Sequence, residues 1–256
     1  MCYDIKTSKE TQLKKAVKDG NHEAIQNILE ALKKISPNEY FHISGFAHPK
    51  LIIYAHENNQ APIISQWGLI APWVKNHEQK LKLWNNTLNA RSETMFEKPS
   101  FKKAASSNRG ILFVDGFFEH HHKSGKTFPY YIYHQNGDSL PLGVICNEWI
   151  DNTTGEILNS FSIVTTKGNK LMSSIHNNPK ISEPRMPLII PEEQTEIWLN
   201  SHSSEENIKA ILQPHSSNNL KAHSVKRIKG KNAVGNSPEA ILEENYPELN
   251  IQGELF

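Results

Sequence analysis

The stretch YYIYHQNGDSLPLGVICNEW, residues 130–149, contains two runs of apolar and β-branched residues on either side of Asn136 and Gly137. β-Branched and aromatic residues favour extended strands, and an Asn-Gly pair favours the left-handed backbone of a type I′ turn. The stretch therefore predicts two antiparallel strands joined by a tight hairpin, and it places β-sheet at the centre of the fold.

Further strand candidates lie on both sides of this hairpin. They are KLIIYAH (50–56), APIISQWGLI (61–70), RGILFVDGFFE (109–119), NSFSIVTTKGN (159–169) and RMPLIIP (185–191). Capping signals and apolar residues at helical spacing predict helices as well. The first predicted helix begins at a capping box at residues 7–10. The second carries an apolar stripe at 25–32 and ends before Ser36. Three more helices are predicted at 170–176, 191–201 and 203–213.

Strands dominate the middle of the chain, and strict alternation of strand and helix is absent. This pattern predicts an α+β fold, a single domain built on a curved, barrel-like mixed β-sheet with flanking helices. The domain is expected to span residues 1–236. Residues 237–256 are expected to form a C-terminal tail that is poorly ordered beyond Pro238.

Composition narrows the class of protein. Of 256 residues, 37% are hydrophobic and 21% are charged, which suits a globular protein and argues against disordered or fibrous classes. Lys and Arg (28) nearly balance Asp and Glu (27), so any contact with nucleic acid must be local. No apolar stretch approaches the roughly 18 residues of a membrane span. We expect a cytoplasmic monomer that needs no cofactor and no membrane.

The chain has two cysteines, too few for a disulfide framework and without the spacing of a zinc site. Cys146 lies in an apolar run and is predicted to be a buried hydrophobe. The run His120-His121-His122 resembles a metal-binding tract, but successive strand residues face opposite sides and cannot easily converge on one ion. We therefore predict no metal site.

Cys2 directly follows the initiator methionine. Removal of Met1, which a small second residue permits, would leave an amine and a thiol on adjacent carbons. An α-amine has a pKa of about 7.7–8, against about 10.4 for lysine, so it is a nucleophile near neutral pH. It can form an imine with an aldehyde, and the thiol can then close a thiazolidine ring. Two alternatives stay open: Cys2 is a small hydrophobe at a strand start, or the nucleophile of an N-terminal amidohydrolase.

Five segments and the Met-Cys start together resemble one protein family. The segments are GFAHPKLII (45–53), QWGLIAPWV (66–74), LNARSETMFEKPSFKKA (88–104), RGILFVDGFFEHH (109–121), and FSIVTTKGNKLMSSIH with RMPLIIP (161–191). In this order they resemble the SRAP family, the SOS response-associated peptidases or abasic-site-processing proteins. The resemblance extends from residue 2 to about residue 236.

The resemblance implies a barrel-like β-sheet and a DNA-binding groove at the N-terminal cysteine. The substrate it implies is an abasic site in single-stranded DNA, whose ring-opened sugar exposes an aldehyde. Cys2 would then form a covalent thiazolidine crosslink by lyase-like imine chemistry as part of the response to DNA damage. Two rival functions remain, a peptidase or amidotransferase that uses Cys2 on an amide, and a non-catalytic reader of damaged or modified DNA.

The resemblance also implies roles for individual residues. Asn89 would hold the abasic sugar, Glu119 would transfer protons at the amine and imine, and His176 would act as the acid that opens the sugar ring. Family members have the histidine close before the RMP motif. Here NNPKISEP, residues 177–184, is inserted at that point, so the role of His176 depends on this loop bulging outward.

DNA contacts are expected from Arg91, which corresponds to a phosphate-binding residue, from Arg185, and from stacking of bases on Trp67 or Trp73. Core packing is the alternative explanation for Trp67. Many members carry Gly and Arg after the cysteine, whereas this chain has Tyr3 and Asp4, which cannot repeat that phosphate contact.

Overall fold

A computed structural model of the chain describes residues 2–35, 39–55 and 62–249. The strands are β1 (Asp4–Thr7), β2 (Tyr40–Ser44), β3 (Lys50–Ala55), β4 (Ile63–Trp67), β5 (Asn89–Arg91), β6 (Arg109–Val114), β7 (Gly116–Lys123), β8 (Lys126–His134), β9 (Leu140–Ile150), β10 (Ile157–Lys167), β11 (Arg185–Pro187) and β12 (Leu220–Ser224). The α-helices are α1 (Lys9–Lys18), α2 (His22–Ile35), α3 (His77–Trp84), α4 (Lys102–Ser107), α5 (Lys170–Ile175), α6 (Thr195–Leu199) and α7 (Glu205–Ile211).

Five strands close into a barrel. β3 pairs antiparallel with β4 and β6, β6 with β9, and β9 with β10, while β10 runs parallel to β4 and completes the ring. β5 and β11 extend this sheet along the second half of β10. Side chains such as Ile53, Val144 and Phe161 are fully buried in the core. The predicted α+β fold on a curved, barrel-like mixed sheet is confirmed.

A second, five-stranded sheet packs beside the barrel in the order β12-β8-β7-β1-β2. All its pairs are antiparallel. β1 lies between β7 and β2, so the residues just after the N-terminus form a central strand of this sheet. The N-terminus is thereby tied to a fixed position.

The prediction of a hairpin at Asn136 and Gly137 is wrong: both strands are present, but they do not pair with each other. β8 pairs with β7 and β12, whereas β9 pairs with β6 and β10, so the two strands belong to different sheets. Gly137 has a positive φ of 72°, but Asn136 does not share it, as a type I′ turn would require. β9 is buried along most of its length inside the barrel, so its partners are set by tertiary packing and override the local turn preference.

The type I′ hairpin lies instead at Ser124 and Gly125, which have φ values of 49° and 74° and join β7 to β8. The segment 109–119, predicted as one strand, is divided between β6 in the barrel and β7 in the second sheet. The first residue of β7, Gly116, has to be glycine because a Cβ there would lie 2.5 Å from the Ile132 carbonyl oxygen. The chain passes from the barrel to the second sheet at this position.

The predicted helices are present, with one correction at the first cap. Thr7 ends β1, and Ser8 is the N-cap of α1, accepting a hydrogen bond from the Thr11 N–H at 3.2 Å. The apolar face of α2, centred on Ile28, packs against Ile52 and Tyr54 of β3 and covers the outside of the barrel. Residues 36–38 and 56–61, which include the predicted stop at Ser36 and parts of two predicted strands, lie outside the described residues.

The described part of the C-terminal segment packs on the second sheet. The Glu244 N–H donates to the Ser224 carbonyl oxygen at 2.8 Å, and Ala240 is buried beside Phe118 and Ile228. The domain boundary at residue 236 stays a prediction. Among the described helices none is long and apolar enough to cross a membrane.

Candidate active site around Cys2

The pairing of β1 with β7 places the N-terminus beside Glu119. The register sets Asp4 opposite Phe118 and Ile5 opposite Phe117. Each step back along β1 advances one residue along β7 in an antiparallel pair, so Tyr3 comes opposite Glu119. Cys2 is 1% exposed and belongs to the main core cluster. Cys2 and the residues that follow it thus lie inside the protein rather than projecting into solvent.

The Cys2 thiol is held in its neutral form. Burial raises the pKa of the thiol far above its ordinary value, and the nearby negative charge of Glu119 raises it further. The sulfur lies 3.9 Å from the backbone oxygen of Asp4. A thiolate is therefore a rare species at this position near neutral pH.

Glu119 and His176 form a buried pair next to Cys2. A carboxylate oxygen of Glu119 lies 3.4 Å from Nδ1 of His176, and both side chains are less than a tenth exposed. Burial lowers the pKa of His176, while the charge of Glu119 opposes the shift. The imidazole is consequently mostly neutral near pH 7. The adjacent carboxylate stabilises the protonated imidazole, but it does not offset the effect of burial.

The inserted segment 177–184 leaves this pair intact. Asn177 clips the end of α5 to β7, since its side chain accepts from the His122 N–H at 2.6 Å and donates to the His122 carbonyl at 2.9 Å. The following loop is largely exposed and returns to β11. There the Arg185 carbonyl oxygen lies 3.0 Å from Nδ1 of His176. The loop bulges outward, and His176 stays beside Glu119.

Asn89 carries an amide without a partner. Both Nδ2 and Oδ1 are buried, and no hydrogen-bonding group of the described residues reaches them. Buried amides are nearly always hydrogen-bonded, so such a group in a native structure needs an explanation. A polar ligand that supplies both a donor and an acceptor is one such explanation.

Arg91 shares a face of β5 with Asn89, because alternate strand residues point the same way. Arg91 is exposed, and its charge reaches the hydroxyl of Tyr3. Burial and the Glu119 carboxylate raise the pKa of Tyr3, and Arg91 opposes that rise. Asn89 and Arg91 therefore point to the same side of β5, and the positive charge of Arg91 acts on Tyr3, the residue that follows Cys2.

Arg185 does not present its charge to solvent. It is 3% exposed, and its guanidinium binds both carboxylate oxygens of Glu93, at 2.7 and 2.9 Å. A further N–H donates to the Thr165 carbonyl at 2.7 Å. Arg185 thus fastens β11 to β10 and fixes the backbone that contacts His176.

The two tryptophans differ in accessibility. Trp67 is fully buried, and its indole N–H donates to the Leu88 carbonyl at 2.8 Å. The expectation that bases stack on Trp67 is wrong for this conformation, because neither face of the ring is open. Trp73 is 42% exposed, in a loop that also leads to the buried Ile70 and Val74.

Neither the histidine tract nor Cys146 adds a metal ligand set. Within the described ranges, no group of three His, Cys, Asp or Glu is arranged to hold a metal ion. Nδ1 of His121 donates to the Ser174 carbonyl oxygen of α5 at 3.0 Å. Cys146 is a free, partly buried cysteine on β9, where burial raises its pKa to about 12.

No local sequence pattern predicts the partners of Tyr3 and Asp4. Asp4 is 2% exposed and lies 3.0 Å from Nε2 of His42 and 2.5 Å from Nζ of Lys229. Burial alone would raise the pKa of Asp4, but these two partners outweigh it and lower the pKa. Tyr3 packs against Phe46, with ring centroids 5.0 Å apart. These contacts join segments that are distant in sequence, so only the folded chain reveals them.

The candidate site therefore consists of the buried thiol of Cys2, the carboxylate–imidazole pair of Glu119 and His176, and the unpartnered amide of Asn89. The chain matches the family described as SOS response associated peptidase (SRAP) over residues 1–232, and it belongs to that family.

The chain is similar in sequence to several known proteins and similar in fold to a solved structure. The chain is 33% identical over 178 residues to the abasic site processing protein YoqW of Bacillus subtilis, covering 69% of this chain and 74% of that protein. It is 29% identical over 231 residues to the abasic site processing protein HMCES of Mus musculus, covering 77% of this chain and 62% of that one. A crystal structure of a protein from Bacteroides thetaiotaomicron superimposes with a TM-score of 0.80 at 29% identity, over 95% of this chain and all of the other.

Proposed function

We propose that this protein binds abasic sites in single-stranded DNA and becomes covalently linked to them through Cys2 after removal of Met1. The observation that carries the proposal is the meeting of Cys2 with the Glu119–His176 pair in one buried site. The names of the relatives, abasic site processing proteins, point to the same substrate.

The first step is the opening of the abasic sugar. The C1′–O4′ bond breaks while His176, in its protonated form, gives a proton to O4′ and Glu119 takes the proton of the C1′ hydroxyl. This produces the free aldehyde. The pair at 3.4 Å can then restore its starting state, because the proton on Glu119 can pass to His176.

The second step joins the α-amine of Cys2 to C1′. The unprotonated amine adds to the aldehyde, and Glu119 moves the two amine protons in turn to the former aldehyde oxygen, which leaves as water so that an imine remains. The thiol sulfur then bonds to the imine carbon, and the thiol proton moves to the nitrogen. The order amine first, thiol second follows from the raised pKa of the buried thiol. One water is lost overall, and no oxidant or reductant is needed.

The remaining residues bind the strand. Asn89 offers an amide donor and acceptor to the sugar oxygens, and Arg91 offers its guanidinium to a neighbouring phosphate. Trp73 is available for stacking on an unpaired base. Because Arg185 is already paired with Glu93, we assign it to holding the backbone beside His176.

The rival amide hydrolysis has less support. A peptidase nucleophile must act as a thiolate, and the buried position of Cys2 disfavours that form.

We further propose that residues 1–236 form the DNA-processing unit and that the protein acts as a cytoplasmic monomer. Its two free cysteines suit a reducing compartment.

The test begins with an intact-mass spectrum, which should show Cys2 as the first residue. The purified protein is then mixed with a single-stranded oligonucleotide that carries one abasic site and, separately, with the undamaged oligonucleotide. We expect a denaturation-resistant adduct with the damaged strand alone, with a mass equal to protein plus DNA minus one water. Cys2→Ala should form none. An undiminished adduct in that variant would place the nucleophile elsewhere.

A further inference from the structure

Phe46 stands out as an exposed aromatic residue beside the Cys2 site. It lies in the short 3₁₀ turn Gly45–Ala47 and is 50% exposed. The Gly45 N–H donates to the Tyr3 carbonyl at 2.7 Å, which ties this turn to the chain immediately after Cys2. The Phe46 ring leans on the Tyr3 ring at 5.0 Å with an interplanar angle of 40°. One side of Phe46 is thus supported while much of its surface meets solvent.

The ammonium group of Lys229 lies close to the same ring. Nζ of Lys229 is 5.9 Å from the centroid of Phe46, and its side chain is 44% exposed. Asp4 holds this lysine at 2.5 Å through one carboxylate oxygen, while His42 binds the other at 3.0 Å. The buried Asp4 therefore holds an ammonium group beside the exposed Phe46 ring.

Lys229, Phe46 and Tyr3 thus lie next to one another, and we call them the aromatic row. The row has a cation, Lys229, at one end. Surfaces that bind single-stranded nucleic acid combine positive charge along the backbone with aromatic rings on which bases stack. The aromatic row, a cation beside two packed rings, has this character, and its Tyr3 directly follows Cys2 in the chain.

We propose that Phe46 is the stacking platform for the base of a nucleotide adjacent to the abasic site and that Lys229 contacts the phosphate of that nucleotide. This inference rests on the proposed function and adds to it the surface that holds the flanking strand. An abasic nucleotide offers no base of its own, so affinity must come from its neighbours. Stacking is tolerant of base identity, which suits lesions that occur in any sequence.

The test uses fluorescence anisotropy to measure binding of the full chain to single-stranded oligonucleotides, abasic and undamaged, at several salt concentrations. Phe46→Ala should weaken binding to both by about 5- to 150-fold, and Phe46→Trp should restore it, because a larger flat ring replaces the smaller one. Lys229→Gln should lower the slope of log affinity against log salt by about one, as loss of one phosphate contact predicts.

Lys209 provides the matched control. It too pairs with a carboxylate, Glu205, at 2.6 Å and lies 5.8 Å from an aromatic ring, but that ring, Phe96, is buried. Lys209→Gln removes the same charge and should leave the affinity and the salt slope unchanged. An equal loss in both lysine variants would show a general charge effect and overturn the role of Lys229.

A second readout reports stacking directly. Oligonucleotides carrying 2-aminopurine immediately 5′ or 3′ of the lesion should lose fluorescence on binding the parent protein in at least one position, and regain it with Phe46→Ala. If the parent binds and crosslinks abasic DNA but Phe46→Ala binds equally well, the platform is refuted while the proposed function stands. If the parent binds no single-stranded DNA, both fail.

Discussion

The unpartnered amide of Asn89 allows a prediction in which stability and activity move in opposite directions. Leucine has nearly the shape of asparagine but needs no hydrogen bonds. Asn89→Leu should therefore stabilise the folded protein and abolish or severely slow adduct formation. A site built for a polar ligand lowers the stability of the ligand-free protein, because its polar groups are removed from water without gaining hydrogen bonds.

The size of the effect follows from the two buried atoms of Asn89. A buried polar group without a partner costs about 1–3 kcal/mol. Removing the amide should raise the free energy of unfolding by roughly that amount. For a chain of this length, 1 kcal/mol corresponds to about 2–4 °C in Tm, so the expected rise is about 2–12 °C.

Asn147 is the control. It is 6% exposed, and its Nδ2 donates to the Ile70 carbonyl at 2.8 Å. Asn147→Leu should lower stability, since it leaves that carbonyl unpaired. Urea titration and thermal unfolding of both variants, with gel assays of adduct yield, give the comparison. The reasoning fails if Asn89→Leu unfolds as readily as Asn147→Leu, or if it crosslinks abasic DNA at the parental rate.

Three further outcomes are expected. Cys2→Ser should still give an imine with abasic DNA that borohydride traps, but little stable adduct, because a hydroxyl closes the ring poorly; a stable adduct at the parental yield would contradict the thiazolidine. Arg91→Ala should weaken binding to damaged and undamaged single strands alike and lessen the salt dependence, since a phosphate contact carries no base information; unchanged binding at every salt concentration would make Arg91 structural. Glu119→Gln and His176→Ala should each slow adduct formation by about 10²–10⁴-fold. Burial lowers the pKa of His176, so its acid form grows as pH falls below neutral. The ring-opening step should therefore quicken toward lower pH in the parent and lose that dependence in His176→Ala. A parental pH profile in His176→Ala would reassign the sugar-opening role.

Much of the chemistry could be predicted from local sequence. The reactivity of an amine and a thiol on adjacent carbons depends on Cys2 alone and on the removal of Met1. Strand and helix positions likewise follow from short-range preferences, which is why nearly every predicted element is present. Glu119 and His176 were identified by resemblance, and the structure brings their side chains within 3.4 Å.

The pairing of those elements was decided by tertiary packing. The Asn136-Gly137 turn signal is local, whereas β8 and β9 bury their apolar residues against different sheets, and burial over whole strands outweighs one turn. In the same way, the sequence alone suggests that Arg185 is a free cation, whereas in the folded chain it is paired with Glu93. The sequence also suggests Trp67 as a stacking surface, whereas the structure buries it completely.

The sequence by itself therefore determined which functional groups the protein carries and where most strands and helices begin. Only the tertiary structure decided which of those groups are exposed, which are paired, and which meet. The Asp4–Lys229 contact and the clip between Asn177 and His122 depend on side chains that no local pattern connects. Charge and hydrogen-bonding capacity belong to a residue, whereas burial and proximity belong to the fold.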